Sequence, residues 1–104
     1  MSNRTRGKQN EREIARLCGG RRVGLLGGED VEHPIFSIEC KSMNRWRLSE
    51  KWVLQVIRNC PENKVPLLWL HVKNMRHKDD LLCIRYGDFV DLYGDLKGDR
   101  DGTR

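Results

Sequence analysis

The chain of 104 residues holds no apolar run long enough to span a bilayer, which takes about 20 consecutive apolar residues in a helix. It has no charged-then-apolar segment of the secretory type at its start. These absences predict an intracellular protein with no membrane partner. Cysteine is sparse and badly spaced for metal: the four stand at 18, 40, 60 and 83, separated by 22, 20 and 23 residues. No pair has the spacing of a zinc knuckle, and reduced, mostly buried thiols are expected rather than disulfides. Histidine is equally thin. His33, His71 and His77 form no metal-ligand spacing with one another, and His71 sits in an apolar segment where packing is the expected role. The three tryptophans, Trp46, Trp52 and Trp69, are expected in the core or an interface. There is no internal repeat.

What is present is charge. The composition is 38% hydrophobic and 34% charged, with mean hydropathy -0.71, as in a soluble globular domain. The net charge of +5 hides an asymmetry. Residues 1–78 carry 16 Lys/Arg against 8 Asp/Glu, whereas residues 79–104 carry 4 against 7. A basic body with an acidic end suits a polyanion, nucleic acid foremost. The length fits one small domain over residues 1–94 with a basic N-terminal arm, followed by a disordered tail over 95–104.

Periodicity supplies the elements. Ile14, Leu17 and Cys18 recur at helical spacing from about Lys8, and Gly19-Gly20 ends that run. Arg4, Lys8, Arg12 and Arg16 would make one cationic stripe if the helix starts early, and Glu11 stands on the apolar side. A short strand over 22–26 and a turn at Gly27-Gly28 lead to Asp30-Val31. The segment 35–41 alternates, with Phe36, Ile38 and Cys40 on one face and Ile35, Ser37, Glu39 and Lys41 on the other. A second helix is predicted over about 49–59, with Ser49 as N-cap and Trp52, Val53, Val56 and Ile57 facing the core. Val65–Val72 is almost continuously apolar, as a strand covered on both faces would be. A strand over 81–86 and a short helix capped by Asp88 complete a mixed α/β sheet flanked by helices.

Three acid-x-Lys tripeptides occur: Glu39-Cys-Lys41, Glu62-Asn-Lys64 and Asp95-Leu-Lys97. The second follows Pro61 in a loop and the third lies in the tail. Only the first ends an apolar strand, where the period of two sets Glu39 and Lys41 on one face, roughly 6–7 Å apart. A carboxylate beside an ammonium suits metal-assisted phosphodiester cleavage. Oxygen ligands hold a hard cation that polarises the phosphate and activates water, and the lysine steadies developing negative charge. Asp30 is placed to be the second carboxylate, with Glu29 and Glu32 as alternatives. The competing account of Glu39 and Lys41 is a surface ion pair contributing under about 1 kcal/mol.

These motifs resemble the PD-(D/E)XK nuclease superfamily, in particular its small archaeal and phage Holliday-junction resolvases. The resemblance covers about residues 7–72: Gly7-x-x-x-Glu11-Arg12 opening a helix, a Gly-Gly end, a hairpin, Asp30-Val31, then Ile38-Glu39-Cys40-Lys41. It implies a restriction-endonuclease-like core and a DNA endonuclease using Mg²⁺, for which Mn²⁺ can substitute. Asp30, Glu39 and Glu11 would hold the metal, Lys41 would be catalytic, and Gln55 matches a glutamine on the following helix. The resemblance further implies a homodimer acting on branched or duplex DNA, in the cytoplasm of a bacterial, archaeal or phage-infected cell. Residue 29 departs from the pattern, being glutamate where the superfamily is named for proline.

Candidate phosphate contacts are Arg4, Arg6, Lys8, Arg12 and Arg16 toward the N-terminus, then Arg21 and Arg22, and Arg45, Arg47 and Lys51 after the strand. Apolar residues around Leu81–Tyr93, including Phe89, Leu92 and Tyr93, would supply an isologous dimer patch. Two other functions share these features: a nicking, repair or restriction-type nuclease of the same fold, and a non-catalytic basic nucleic-acid-binding module.

Overall fold

The computed structural model describes residues 3–24 and 28–97. Helix α1 (Asn3–Cys18) leads into strands β1 (Arg21–Arg22), β2 (Val31–Glu32) and β3 (Phe36–Met43). Helix α2 (Glu50–Arg58), strand β4 (Val65–Val72), a 3-10 turn at His77–Asp79, strand β5 (Leu81–Cys83) and helix α3 (Tyr86–Tyr93) follow. The strands form one mixed sheet in the order β1-β2-β3-β4-β5. Only β3 and β4 are parallel. A parallel pair cannot be joined by a hairpin and needs a crossover, which α2 provides.

Several local expectations change. Helix α1 begins at Asn3 rather than near Lys8, so the backbone of residues 3–6 is helical instead of a loose arm, and positions 4, 8, 12 and 16 share one face. Gly19 ends the helix at φ 71, a left-handed conformation that glycine adopts without a Cβ clash. Gly20 answers a different need. A Cβ there would lie 2.5 Å from the Glu32 carbonyl oxygen, so the helix end approaches β2 too closely for any side chain. The first strand pairs only at Arg21 and Arg22, and positions 25 and 26 lie outside the described residues. The strand expected over 81–86 stops at Cys83 because the chain turns into α3 at Tyr86. Asp88 therefore lies inside the first turn of α3 and accepts from Arg85 Nε at 2.8 Å instead of capping. Ser49 does hold the N-cap position of α2, but its side chain makes no capping bond. Of the expected tail, residues 95–97 are described, with the Lys97 N–H on Asp95 Oδ1 at 3.0 Å; the remainder lies outside the described residues.

Burial explains the apolar character of β4. On one face Leu67 and Trp69 pack with Ile14 and Ala15 of α1 and with Val31 and Ile38. On the other, Leu68, Leu70 and Val72 pack with Val56 of α2 and Met43. Covering both faces buries every residue of β4 from Pro66 to Val72, each large aliphatic contributing about 1.5–3 kcal/mol. The alternation of β3 is as expected: Ile38 enters the α1 side and Met43 the α2 side. The four cysteines are free and part-buried. Among the described residues no helix is long and apolar enough to cross a membrane.

Candidate active site

Strand β3 outruns its neighbour. β2 pairs with it only at Ser37 and Ile38, so the remainder of that edge, toward Met43, has no strand beside it. Asp30 occupies this edge. Its N–H donates to the Ile38 carbonyl at 2.9 Å, and its carboxylate accepts the Cys40 N–H at 2.8 Å. The short interval between Asp30 and Glu39 is thus taken up by a two-residue strand and the turn at His33-Pro34, where His33 Nδ1 accepts the Ile35 N–H at 3.0 Å.

Two further carboxylates converge here. Glu11, one turn before Ile14 and Ala15 on α1, is half-buried with its Oε1 3.8 Å from Arg22 Nε. Glu39 is only 1% exposed; it accepts a hydrogen bond from Asn59 Nδ2 at 3.0 Å and is hydrogen-bonded to the Asp30 carboxyl. Lys41 has its Nζ 6.0 Å from the centre of the Trp52 ring, over which the Arg47 guanidinium also lies, at 4.5 Å.

The electrostatics join these groups into one neighbourhood. Burial pushes the Glu39 carboxyl up to about 7; the Asp30 charge adds to this, while the Asn59 hydrogen bond and Lys41 oppose it. Burial also raises Glu11, with Asp30 again adding and Arg22 and Lys41 opposing. Crowded like charges in a partly dry site are the physical cause. The Cys40 thiol is raised by burial and then by Asp30, Glu11 and Glu39, which removes it as a nucleophile.

The structure separates the alternatives to Asp30. Glu29 lies 3.8 Å from Lys64 and Glu32 lies 2.7 Å from Arg21, whereas Asp30 is the residue that perturbs both Glu11 and Glu39. Gln55 lines a cleft on α2 with Glu50, Lys51, Leu54 and Arg58. The amide that reaches Glu39 is instead Asn59, one turn further along. Sequence reasoning passed over Asn59 because an asparagine before Pro61 reads as a helix stop. Of the cations, Arg16 and Arg21 are drawn into ion pairs with Glu13 and Glu32. Arg45 and Arg47 line a cleft of about 350 Å³ with Lys73; Arg12 is exposed and Lys8 acts on Glu11 electrostatically. The side chains of Arg4 and Arg6 lie outside the described residues.

Carboxylate oxygens are the donors a hard divalent cation prefers. Among the described residues, the three potential ligands gathered within 4.8 Å of one another are His71, His77 and Asp80 rather than Glu11, Asp30 and Glu39. Repulsion among the latter three is what such a cation would relieve. No protein-family model, curated protein or solved structure matches this chain.

Proposed function

We propose that this protein is a metal-dependent endonuclease that hydrolyses phosphodiester bonds in DNA. One observation supports the reading: Asp30 and Lys41 act electrostatically on both Glu11 and Glu39, which come from separate elements, at the edge of β3 beyond its pairing with β2. The order α-β-β-β-α-β from α1 to β4 supports a restriction-endonuclease-like core. The basic residues 1–78 support a polyanionic substrate,.

Glu11, Asp30 and Glu39 would hold Mg²⁺, or Mn²⁺ in its place, which when bound supplies Lewis-acid polarisation of the phosphate and a more acidic water. The chain's own residues do the remainder. Asp30 is fixed by the Cys40 N–H at one oxygen and hydrogen-bonded to Glu39, which sets the direction of its carboxylate. Asn59 holds Glu39 from the α2 side. Lys41 places an ammonium on the face that Glu39 shares, where it orients water or offsets charge developing on the phosphate. Trp52 lies beneath that ammonium at 6.0 Å, and the Arg47 guanidinium lies over the same ring.

The substrate reading extends to branched DNA through the family resemblance, and the quaternary reading to a homodimer. Exposed Leu81, Leu82 and Tyr86 around the edge strand β5 support the second, because an open apolar edge favours pairing.

The test is cleavage of a four-way junction, a fork, a duplex and a single strand, side by side, with Mg²⁺ or Mn²⁺. Asp30→Asn and Glu39→Gln are expected to lower cleavage by about a thousandfold or more, with DNA binding retained or tightened as negative charge is removed. Normal cleavage by both variants would sink the assignment. Binding without cleavage by the unmodified protein would leave a non-catalytic module.

A further inference from the structure

A second organised polar cluster lies beside the end of β4, on the side of the sheet that packs against α1. Asp80, its side chain 2% exposed, is hydrogen-bonded by Trp69 Nε1 at 2.6 Å, His71 Nδ1 at 2.7 Å and His77 Nδ1 at 2.8 Å. The two imidazoles stack, centres 4.1 Å apart and planes 19° from parallel. Rings so arranged direct their in-plane lone pairs side by side. A tetrahedral metal needs nitrogens converging on one point about 2.0–2.1 Å away, so the stacking favours orientation by the carboxylate over chelation. With each Nδ1 on Asp80, each Nε2 is the nitrogen left for a ligand.

Both imidazoles line a cavity of about 500 Å³, with Gln9, Asn10, Ser42, Lys73 and Asn74. No carboxylate lines it. Its groups are an ammonium, two imidazoles, three amides and a hydroxyl, the chemistry of an oxyanion site. The Asn10 Oδ1 position is buried without a partner, and turning that amide over presents its NH₂ there instead. Ser42 and His71 point to the α1 side of the sheet, whereas Lys41 points to the α2 side, over Trp52, so the cavity and the Glu39–Lys41 pair occupy opposite faces of β3. Ser42 and Lys73 also line the cleft that holds Arg45 and Arg47, which extends the cationic surface beyond it.

We propose that this cavity is a phosphate subsite that seats a phosphodiester group of a nucleic-acid strand, contacted by Lys73, His71 and His77. That the seated group flanks a scissile bond rests on the nuclease reading; the phosphate chemistry does not. A phosphate oxygen only accepts, so contact with it requires a proton on each Nε2 in addition to the one that Nδ1 donates to Asp80,. The other charged groups facing the rings are Lys73 and, from α1, Glu13; β3 contributes the neutral Ser42.

The test has two arms. Inorganic phosphate is titrated into the full chain without divalent cations, against chloride at equal ionic strength, while imidazole ¹⁵N shifts are followed. His71 and His77 Nε2 are expected to move saturably toward protonated values while His33 stays still. In the second arm, Lys73→Gln and His77→Gln are assayed for binding a labelled duplex in EDTA over a salt series. Each is expected to weaken binding about 3–10-fold, and Lys73→Gln to flatten the log K against log salt slope by about 0.9. Both side chains are part-exposed, and should either variant fail to fold, the phosphate titration decides alone. No response to phosphate beyond chloride overturns the subsite. A phosphate response with unchanged duplex binding in both folded variants overturns the nucleic-acid assignment. Movement of both imidazoles by stoichiometric Zn²⁺ but not by phosphate replaces the subsite with a metal site. Both arms positive with no cleavage of any DNA keeps the subsite and overturns the nuclease reading.

Discussion

Glu39 and Asp80 are both buried carboxylates, the first 1% exposed and the second 2% in its side chain, yet the fold provides for them differently. Asp80 receives hydrogen bonds from Trp69, His71 and His77. Glu39 receives one from the Asn59 amide and is otherwise hydrogen-bonded to the Asp30 carboxyl. Burial alone raises the cost of either charge, and donors decide how much of that cost is recovered. With three donors, Asp80 is an anchor that ties the 3-10 turn to β4. With one amide donor, and with Asp30 as its other hydrogen-bond partner, Glu39 is held up to about 7. The same functional group is fully supplied with donors in one place and short of them in the other.

Isosteric amides should pull this comparison apart most widely. Asp80→Asn removes the charge that three donors share and turns an NH₂ toward at least one of them. A loss of about 3 kcal/mol is expected, or a melting temperature lower by on the order of 10–20 °C. Glu39→Gln should act in the opposite direction in metal-free protein. A carboxyl raised from 4.5 to about 7 favours folding below its unfolded value and loses that contribution as pH rises through its folded value. The ionised Glu39 therefore weakens the native state above pH 7, and the amide relieves it by about 1–3 kcal/mol. Thermal melts at alkaline pH with EDTA would read both. Equal destabilisation by the two variants would show that the difference in donors does not matter.

The same carboxyl sets a smaller, pH-dependent effect on function. If Glu39 ligates metal as proposed, it must be ionised to do so, and below about 7 the proton competes,. The metal concentration giving half-maximal cleavage should fall by roughly tenfold per unit as pH rises toward 7, then level off. At saturating metal the break should move to lower pH, since the cation favours the ionised form. A half-maximal concentration independent of pH would remove Glu39 from the metal site. Asn59→Ala withdraws the amide donor that, with Lys41, holds Glu39 down, so its break should move upward by on the order of half to one pH unit.

The sequence foretold one of these two places much better than the other. Strand periodicity placed Ile38, Glu39 and Lys41 correctly, and the apolar run over Val65–Val72 gave β4 its bounds. Glu11 was legible because it stands on the apolar side of α1, and its part-burial beside Arg22 agrees. Asn59 was not legible, since its role depends on where the crossover helix ends relative to β3. The Asp80 cluster escaped as well. His71, His77 and Asp80 have no recognisable spacing, and only the return of the chain from β4 through the 3-10 turn brings them together. Period and local polarity carry what one element does; contacts across elements need the fold. The early start of α1 and the brevity of β5 are likewise decided by neighbours rather than by propensity.

Helix α2 repeats the comparison on a smaller scale and yields the smallest effect. Its two end residues, Ser49 and Asn59, are both types that ordinarily bond the helix's own backbone. Asn59 does so with its main-chain N–H, which reaches the Gln55 carbonyl at 3.0 Å, and this frees its side chain for Glu39. Ser49 accepts the Trp52 N–H through its carbonyl at 3.0 Å, and its hydroxyl makes no cap. A serine cap that bonds ordinarily contributes about 1 kcal/mol. Without that bond, Ser49→Ala should change stability by less than about 0.5 kcal/mol and leave the pH dependence of metal use untouched. A loss of a full kcal/mol in a urea melt would mean that the hydroxyl caps the helix in solution. The two ends of α2 would then differ in what they serve rather than in whether they serve anything.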